Sequence, residues 1–329
     1  MHASQLARIH ALVVCALTLW MCPVLAPAAG AETYPSRTIS IVVPFPAGSS
    51  ADVTARQVAH LMAAELGQSV IVDNRPGANG ILGAQVVAKA APDGHTLLYA
   101  TSHMLAVTPH IVRDLGFDAR NDFVPIIMSA SAPAFLVVPA DSPHRTAKEL
   151  IEAARKAPGK LSYASSGEGS PQHIMGEKLK KMAGIDLLHV PYKGETPALM
   201  DLAGGRIDLC FGFAAGTMPH VRAGRLRALA TTSDKRLAAF PDIPTLAEAG
   251  LPGYAERTLV FYLAPRGTSL VVVKKLNEVF RKTLFSLKRE IEERGVELIV
   301  SSPEEAAAKI GAEYERYGRL VKELGIASQ

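Results

Sequence analysis

The sequence predicts an α/β protein of two lobes, joined by two crossing strands, with a ligand cleft between them. Short β-branched runs alternate with helical patterns from residue 38 onward, which is typical of mainly parallel α/β sheets. The length of 329 residues suggests about two domains. Two apolar strands, ending at Pro139 and Pro265, bracket the middle of the chain, and we interpret them as the crossings. This interpretation assigns residues 32–137 and 261–329 to the first lobe and residues 138–260 to the second.

Residues 1–31 have the layout of a secretory signal peptide. A basic residue precedes an apolar run over 11–21, and the small residues that follow end with Ala29 and Ala31. We predict cleavage after Ala31, with cleavage after Ala29 as a close alternative. The apolar run is shorter than the ~20 residues of an ordinary membrane span. Cleavage leaves Cys210 as the only cysteine of the mature chain, so no internal disulfide bond is expected.

Hydrophobic periodicity locates the individual elements. Apolar and β-branched runs predict strands at residues 38–43, 70–72, 96–100, 135–138, 161–164, 188–190, 207–211, 227–231 and 259–264. Helical spacing predicts helices at residues 51–66, 83–90, 146–156, 171–182, 270–287 and 303–324. The predicted helix caps are Thr146 with Glu149 in capping-box spacing, Ser170 before Pro171, and Ser302.

One arrangement occurs twice in the predicted order of elements. The strand over 41–43 runs into the loop 44–52 and then into a helix, and the strand over 161–164 runs into the loop 165–170 and then into a helix. Both loops are rich in small and hydroxyl-bearing residues. Each follows the carboxyl end of a strand, which is where open α/β sheets bind ligands.

Loops of this kind suit an anion. The first amides of a helix have no intrahelical partner, and the helix dipole adds ~0.3–1 kcal/mol per end for a negative group. Two such ends, facing each other across a cleft, would hold the two ends of a dicarboxylate. The alternative is that each loop is only a turn and a helix cap. Residues 101–103 and 213–217, which also follow strands, are predicted as further contacts.

Composition and motifs argue against several other classes of protein. The formal net charge of +4 comes from 35 basic and 31 acidic residues without a basic run, which disfavours nucleic-acid binding. The sequence lacks the nucleophile-elbow, phosphate-loop and zinc-helix motifs, and its histidines are scattered. We therefore predict no metal, no cofactor and no enzymatic activity. A Ser-His-Asp hydrolase stays open, because triads are not local in sequence.

Several segments, in a fixed order and spacing, carry a resemblance to a known family. They include Val42-Val43-Pro44-Phe45-Pro46-Ala47-Gly48 with Asp52, Asn74-Arg75-Pro76-Gly77, Ala90-Ala91-Pro92-Asp93-Gly94, His189-Val190-Pro191-Tyr192-Lys193-Gly194 and Pro244-Thr245-Leu246-Ala247-Glu248-Ala249-Gly250. Over the whole mature chain the sequence resembles the Bug-type receptors of the tripartite tricarboxylate transporters.

The resemblance implies a type II periplasmic binding fold, a periplasmic location and a small organic acid as ligand. It also implies a membrane permease as partner, and we expect the receptor itself to be a monomer. In the family, amides and hydroxyls of the two loops hold the ligand carboxylate. The predicted ligand-binding residues are Phe45, Ala47, Gly48, Ser49, Asp52, Ser165, Ser166, Gly169 and Ser170, together with Thr101, His103 and Phe213 from the residue pattern.

Departures from the family pattern bear on the ligand. Ser49 replaces a usual glycine, and Glu168 replaces a frequent asparagine; a glutamate there would repel a carboxylate unless its side chain points away. Phe213 and residues 259–261 make the predicted pocket more apolar, which favours an aromatic or longer-chain carboxylate. Two alternatives remain: a sensor that presents the same ligand to a signalling partner, and a secreted hydrolase.

Overall fold

Strands and helices alternate along most of the chain. The computed structural model describes residues 34–326, and the residues from 37 onward belong to one compact unit. The strands are β1 (Ile39–Val43), β2 (Val70–Asn74), β3 (Thr96–Thr101), β4 (Phe123–Pro139), β5 (Ser162–Ser165), β6 (Leu188–Pro191), β7 (Leu209–Phe213), β8 (Leu226–Thr231), β9 (Arg257–Pro265) and β10 (Glu297–Leu298). The helices are α1 (Ser50–Leu66), α2 (Ile81–Ala88), α3 (Ser102–Ala106), α4 (Thr108–Ile111), α5 (Ala147–Lys156), α6 (Pro171–Ala183), α7 (Glu195–Ala203), α8 (Ala214–Arg222), α9 (Leu270–Ser286), α10 (Lys288–Glu292) and α11 (Pro303–Leu324). The predicted signal peptide lies outside the described residues.

Two groups of strands share the long strand β4. The first sheet has the order β2-β1-β3-β9-β4, and the second has the order β4-β7-β5-β6. β8 and β10 pair with β4 as well. The pairs β1–β2, β1–β3, β5–β6 and β5–β7 are parallel, as the alternating pattern predicts, whereas every pair that involves β4 or β9 is antiparallel.

β4 passes from one sheet to the other in the middle of its length. Pro133 pairs with Arg257 of β9, and the next residue, Ala134, pairs with Phe213 of β7. Proline has no N–H to donate to a sheet, so Pro133 suits the point at which the pairing changes. The sequence predicted only residues 135–138 of this 17-residue strand, because its first part is interrupted by prolines and small polar residues.

Thr232 connects the two chain crossings. Its backbone N–H donates to the Ala134 carbonyl at 2.9 Å, and its hydroxyl accepts the Ala134 N–H at 2.9 Å. The same hydroxyl donates to the Glu256 carbonyl at 2.7 Å, and the Glu256 N–H donates to the Thr232 carbonyl at 2.8 Å. The strand pairing of the chain therefore changes at residues 133–134 and at residues 256–257. The lobe bounds given above, 32–137 with 261–329 and 138–260, stay a prediction.

Separate hydrophobic cores support the two sheets. Val42, Leu98 and Phe261 pack beneath the first sheet with α2 and α11, and Leu136 and Phe211 pack beneath the second with α5 and α6.

The predicted caps are confirmed: Thr146, Ser170 and Ser302 each accept a backbone N–H from the first turn of their helix. Among residues 34–326 we find no helix with the length and apolarity needed to cross a bilayer.

Candidate functional site

A cavity lies where the two sheets face each other. Its empty volume is about 960 Å³, part of which is open to solvent. The first-sheet side contributes loop 44–49, the start of α1 and side chains of β3 and β9, and the second-sheet side contributes residues from the starts of α6, α7 and α8. The two loops singled out in the sequence therefore meet at one crevice.

Asp52 organises the first loop. Its carboxylate accepts the Gly48 N–H at 3.0 Å, the Asn74 amide at 2.9 Å and the Arg56 guanidinium at 3.0 Å. Burial alone raises the pKa of this carboxyl, but the hydrogen bonds from Arg56, Gly48 and Asn74 outweigh it and lower the pKa. Gly48 has φ of +77°, a left-handed conformation that favours glycine. Asp52 and Gly48 thus shape the loop and do not line the cavity.

The first turn of α1 presents its amides to the cavity. Ser49 is the N-cap, and its hydroxyl accepts the Asp52 N–H at 3.4 Å. The Ser50 N–H donates to Glu195 Oε2 at 3.1 Å. The N–H of Ala51, which lines the cavity, has no intrahelical acceptor and no acceptor among the described residues. α1 therefore has one amide occupied by a carboxylate of the chain itself and one amide available to a ligand.

The second loop is braced by its own side chains. Ser165 Oγ contacts His189 Nε2 at 2.6 Å, the Gly169 N–H donates to His173 Nδ1 at 3.0 Å, and Ser170 caps α6. Of this loop, only Ser166 lines the cavity, where its hydroxyl donates to Gln172 Oε1 at 2.8 Å. Glu168 is exposed and does not line the cavity, so its carboxylate is not among the groups that would face a bound acid there.

A third helix start meets the other two. α8 begins at Ala214 without a side-chain cap, and both Ala214 and Ala215 line the cavity. The Phe213 N–H donates to Glu195 Oε1 at 2.8 Å, and the Gly216 N–H donates to Ser50 Oγ at 2.7 Å. The starts of α1, α6 and α8 consequently converge on the same space, with Ala214 and Ala215 of α8 lining it.

Glu195 is a buried carboxylate that accepts backbone N–H groups at the starts of α1 and α8. Only 7% of the residue is exposed, and no cation among the described residues forms an ion pair with it. Burial raises the pKa of the Glu195 carboxyl above its usual range, against the N–H groups of Phe213 and Ser50, which lower it. Glu195 is not among the residues predicted from the sequence, although it directly follows Tyr192-Lys193-Gly194. The signal available for it is a carboxylate at the first position of a helix.

Aromatic and hydroxyl-bearing side chains of β3 and β9 form the floor of the cavity. Tyr99 lies opposite Tyr262 in the sheet register, with the rings 5.6 Å apart and edge to face. The hydroxyls of Tyr262 and Thr258 are buried without a hydrogen-bond partner among the described residues. Both residues line the cavity, while their hydroxyl oxygens are themselves buried.

His103, one of the predicted contacts, does not line the cavity. It is fully buried and contacts the Tyr317 hydroxyl at 3.0 Å, which in turn donates to Glu256 at 2.6 Å. Burial lowers the pKa of His103 to about 4, and the nearby Glu256 only partly offsets this. Thr101, two residues earlier, does line the cavity and caps α3.

The family is shown by comparison with known proteins. A family model described as "Tripartite tricarboxylate transporter family receptor" matches residues 54–326. The chain belongs to this family. The resemblance to Bug-type receptors is therefore confirmed.

Curated relatives and solved structures agree with the assignment of this receptor to the family. It is 40% identical over 295 residues to the UPF0065 protein in the tcbD-tcbE intergenic region of Pseudomonas sp. (strain P51), which covers 89% of this chain and 88% of the relative. It is similar to the periplasmic binding protein BugD, with 33% identity, a TM-score of 0.86 and coverage of 90% and 100% of the two chains. It is also similar to R. palustris Rpa4515 with adipate, with 37% identity, a TM-score of 0.87 and the same coverage. These structures confirm the predicted two-lobed periplasmic binding fold.

The receptor's cavity contains some of the predicted site residues and not others. Those that line it are Phe45, Ser49, Thr101, Ser166 and Phe213. Those that do not are Ala47, Gly48, Asp52, His103, Ser165, Gly169 and Ser170. The second group consists mainly of residues that hold the loops in shape, since a short loop uses most of its polar groups on itself. No cluster of three metal-ligating side chains occurs within residues 34–326.

Proposed function

We propose that this receptor captures a small organic acid in the periplasm and delivers it to the permease subunits of a tripartite carboxylate transporter. The observation that carries the proposal is the convergence of three helix starts, α1, α6 and α8, on one cavity between two sheets. Backbone amides at helix starts are pre-oriented donors for a carboxylate, and the helix dipoles favour its charge. Closure of the two lobes about the crossings at Thr232 would enclose the ligand.

The walls of the cavity favour an acid with an apolar body. Phe45, Tyr99 and Val260 line it together with Tyr262, so most of a ligand's surface would contact aromatic or aliphatic groups. The related Rpa4515 structure contains adipate, a dicarboxylate with an aliphatic chain. We accordingly propose an aromatic or longer-chain carboxylate, bound by the amides of Ala51, Ala214 and Ala215 with Ser166.

Thermal unfolding of the receptor purified from the periplasm tests this proposal. A panel of dicarboxylic, aromatic and amino acids is compared with the neutral methyl ester of each acid. A true ligand raises the unfolding free energy by ~2.7 kcal/mol at a hundred times its dissociation constant, whereas its ester does not. Absence of stabilisation by every acid would contradict the proposal. The amino-terminal residue of the same sample tests the proposed cleavage after Ala31 or Ala29.

Transport and sensing differ only after the ligand is bound. If the receptor supplies a permease, cells that lack the receptor lose uptake of the bound acid, and a sensor would leave uptake intact. A hydrolase is the other alternative, and among the described residues serine hydroxyls contact histidine rings at Ser165 with His189 (2.6 Å) and at Ser102 with His103 (3.5 Å). Neither serine lines the cavity. Ser165 is fully buried and does not line the cavity, so we expect no ester turnover that depends on it.

A further inference from the structure

Arg294 is a cation of the cavity without an acidic partner. It lies between α10 and β10 and is half-buried. Among the described residues that line the cavity, it is the only one with a positively charged side chain. Its Nη1 donates to Gln57 Oε1 at 2.8 Å, and no carboxylate of residues 34–326 forms an ion pair with it. Most of the guanidinium's five donors are therefore free.

A guanidinium in this setting is suited to a carboxylate. Its planar fork can donate two parallel hydrogen bonds to the two carboxylate oxygens, and such charge-assisted pairs are the strong ones. A half-buried cation also gains from an anion, because it has lost part of its hydration without acquiring a negatively charged partner. The neutral amide of Gln57 orients the group without neutralising it.

Helix α1 relates Arg294 to the helix starts, because Gln57 of this helix binds the guanidinium. Ala51 and Thr54 line the cavity, and Gln57, one i,i+3 step beyond Thr54, holds Arg294. Six residues at 1.5 Å per residue span about 9 Å. The backbone of Gln57, whose side chain holds the guanidinium, is thus about 9 Å along the helix axis from that of Ala51.

The space between these two ends is mainly apolar. Leu284, Ile291 and Val296 line the cavity near Arg294, and Tyr262 and Thr258 line it from β9. An anion-binding group at each end of an apolar passage matches a molecule with a carboxylate at each end of an aliphatic chain.

We infer that Arg294 binds the second carboxylate of an extended linear dicarboxylate, whose first carboxylate lies at the starts of α1, α6 and α8. This inference rests on the proposed function and names its substrate class. A short dicarboxylate such as succinate would not reach both ends, and a monocarboxylate would leave Arg294 unpaired.

Titration calorimetry on paired ligands tests the inference. Wild type, Arg294→Gln and Arg294→Lys are titrated with adipate and suberate, with the monocarboxylates hexanoate and octanoate, and with succinate. Arg289→Gln is the matched control, because Arg289 is an exposed arginine of α10 outside this cavity. It changes the net charge equally.

We expect Arg294→Gln to weaken adipate or suberate binding about ten- to a hundredfold while hexanoate and octanoate change less than about twofold. Arg294→Lys should lose less, since it keeps the charge but not the fork. Unchanged dicarboxylate affinity in Arg294→Gln, or an equal loss for mono- and dicarboxylates, overturns the inference while the proposed function stands. If the wild type binds none of these aliphatic acids, the inference is overturned; the proposed function itself fails only if the aromatic and amino acids of the unfolding panel do not bind either.

Discussion

The backbone N–H of Ser50 donates to the carboxylate of Glu195 across the cavity, at 3.1 Å. The second oxygen of the same carboxylate accepts the Phe213 N–H at 2.8 Å. Glu195 therefore occupies a place at the start of α1 where the sequence alone suggested a ligand's anion. The amides of Ser50 and Phe213 are therefore already bound to a carboxylate of the protein itself, and a bound acid must share the cavity with that carboxylate.

Replacing Glu195 by glutamine should strengthen the binding of a monocarboxylate about tenfold near neutral pH, because two like charges a few ångströms apart repel each other. The pKa of Glu195 is raised, so its negative charge develops as the pH rises through that value. Wild-type affinity should then fall with rising pH, and the affinity of Glu195→Gln should stay flat. Calorimetric titration between pH 6 and 8, where the acid itself is fully ionised, measures both effects.

Glu168→Gln is the control for this prediction, since Glu168 is exposed and does not line the cavity. It should bind with wild-type affinity and wild-type pH dependence. Equal pH dependence in Glu195→Gln and wild type would show that Glu195 does not act on the ligand.

Asp52→Asn should destabilise the protein by about 1–3 kcal/mol, because the carboxylate is buried and accepts three different donors. The pKa of Asp52 is lowered in the folded state, so its contribution is present above the ordinary carboxyl pKa and is lost as the pH falls through the folded pKa. Urea unfolding at a series of acidic pH values measures this. Asp73→Asn, which removes a more exposed pair with Arg75, should cost less than ~0.5 kcal/mol. Similar losses in both variants would contradict the role given to Asp52.

Thr232→Val should cost about 1–3 kcal/mol, since it leaves the Ala134 N–H without its acceptor and the Glu256 carbonyl without its hydroxyl donor. Thr283 offers a matched comparison. It is equally buried, but its hydroxyl has no partner among the described residues, so Thr283→Val should be neutral or stabilising. Denaturant unfolding of the two variants distinguishes them, and equal changes would argue against Thr232 as the tie between the crossings.

His103 should make the protein less stable in mild acid. Its folded pKa of about 4 lies below the ordinary histidine value of about 6.5, so the unfolded chain takes up a proton first as the pH falls. The stability that neutral His103 contributes is fully present above the ordinary pKa of about 6.5. It is lost, by up to about 3 kcal/mol, as the pH falls from there to the folded pKa of about 4. His103→Gln should flatten this part of the pH–stability curve. The exposed His60 provides the control: His60→Gln should keep the wild-type slope, and a parallel curve for His103→Gln would contradict the assignment.

Local signals in the sequence determined much of the fold. Ser170 and Ser302 were identified as caps because a cap acts on amides within three residues of itself. The first half of β4 was missed because Pro133 reads as a break, whereas its missing N–H falls where the strand changes sheets.

The candidate site depends on contacts that are distant in sequence. His103 is predicted as a contact because it follows a strand, whereas its partner in the structure, Tyr317, is 214 positions away. Glu195 meets Ser50 over 145 positions, and Arg294 meets Gln57 over 237. Periodicity and motif spacing carry no information about such pairs, so the sequence located the loops but not the charged groups that face them.

Backbone amide NMR during titration with a bound carboxylate tests the central claim most directly. The account predicts saturable downfield shifts of the amide protons of Ala51, Ala214 and Ala215, as each gains a charged acceptor, while the Asp52 amide, held by Ser49, changes little. A carboxylate that binds with submillimolar affinity and leaves the amides of Ala51, Ala214 and Ala215 unshifted would contradict it.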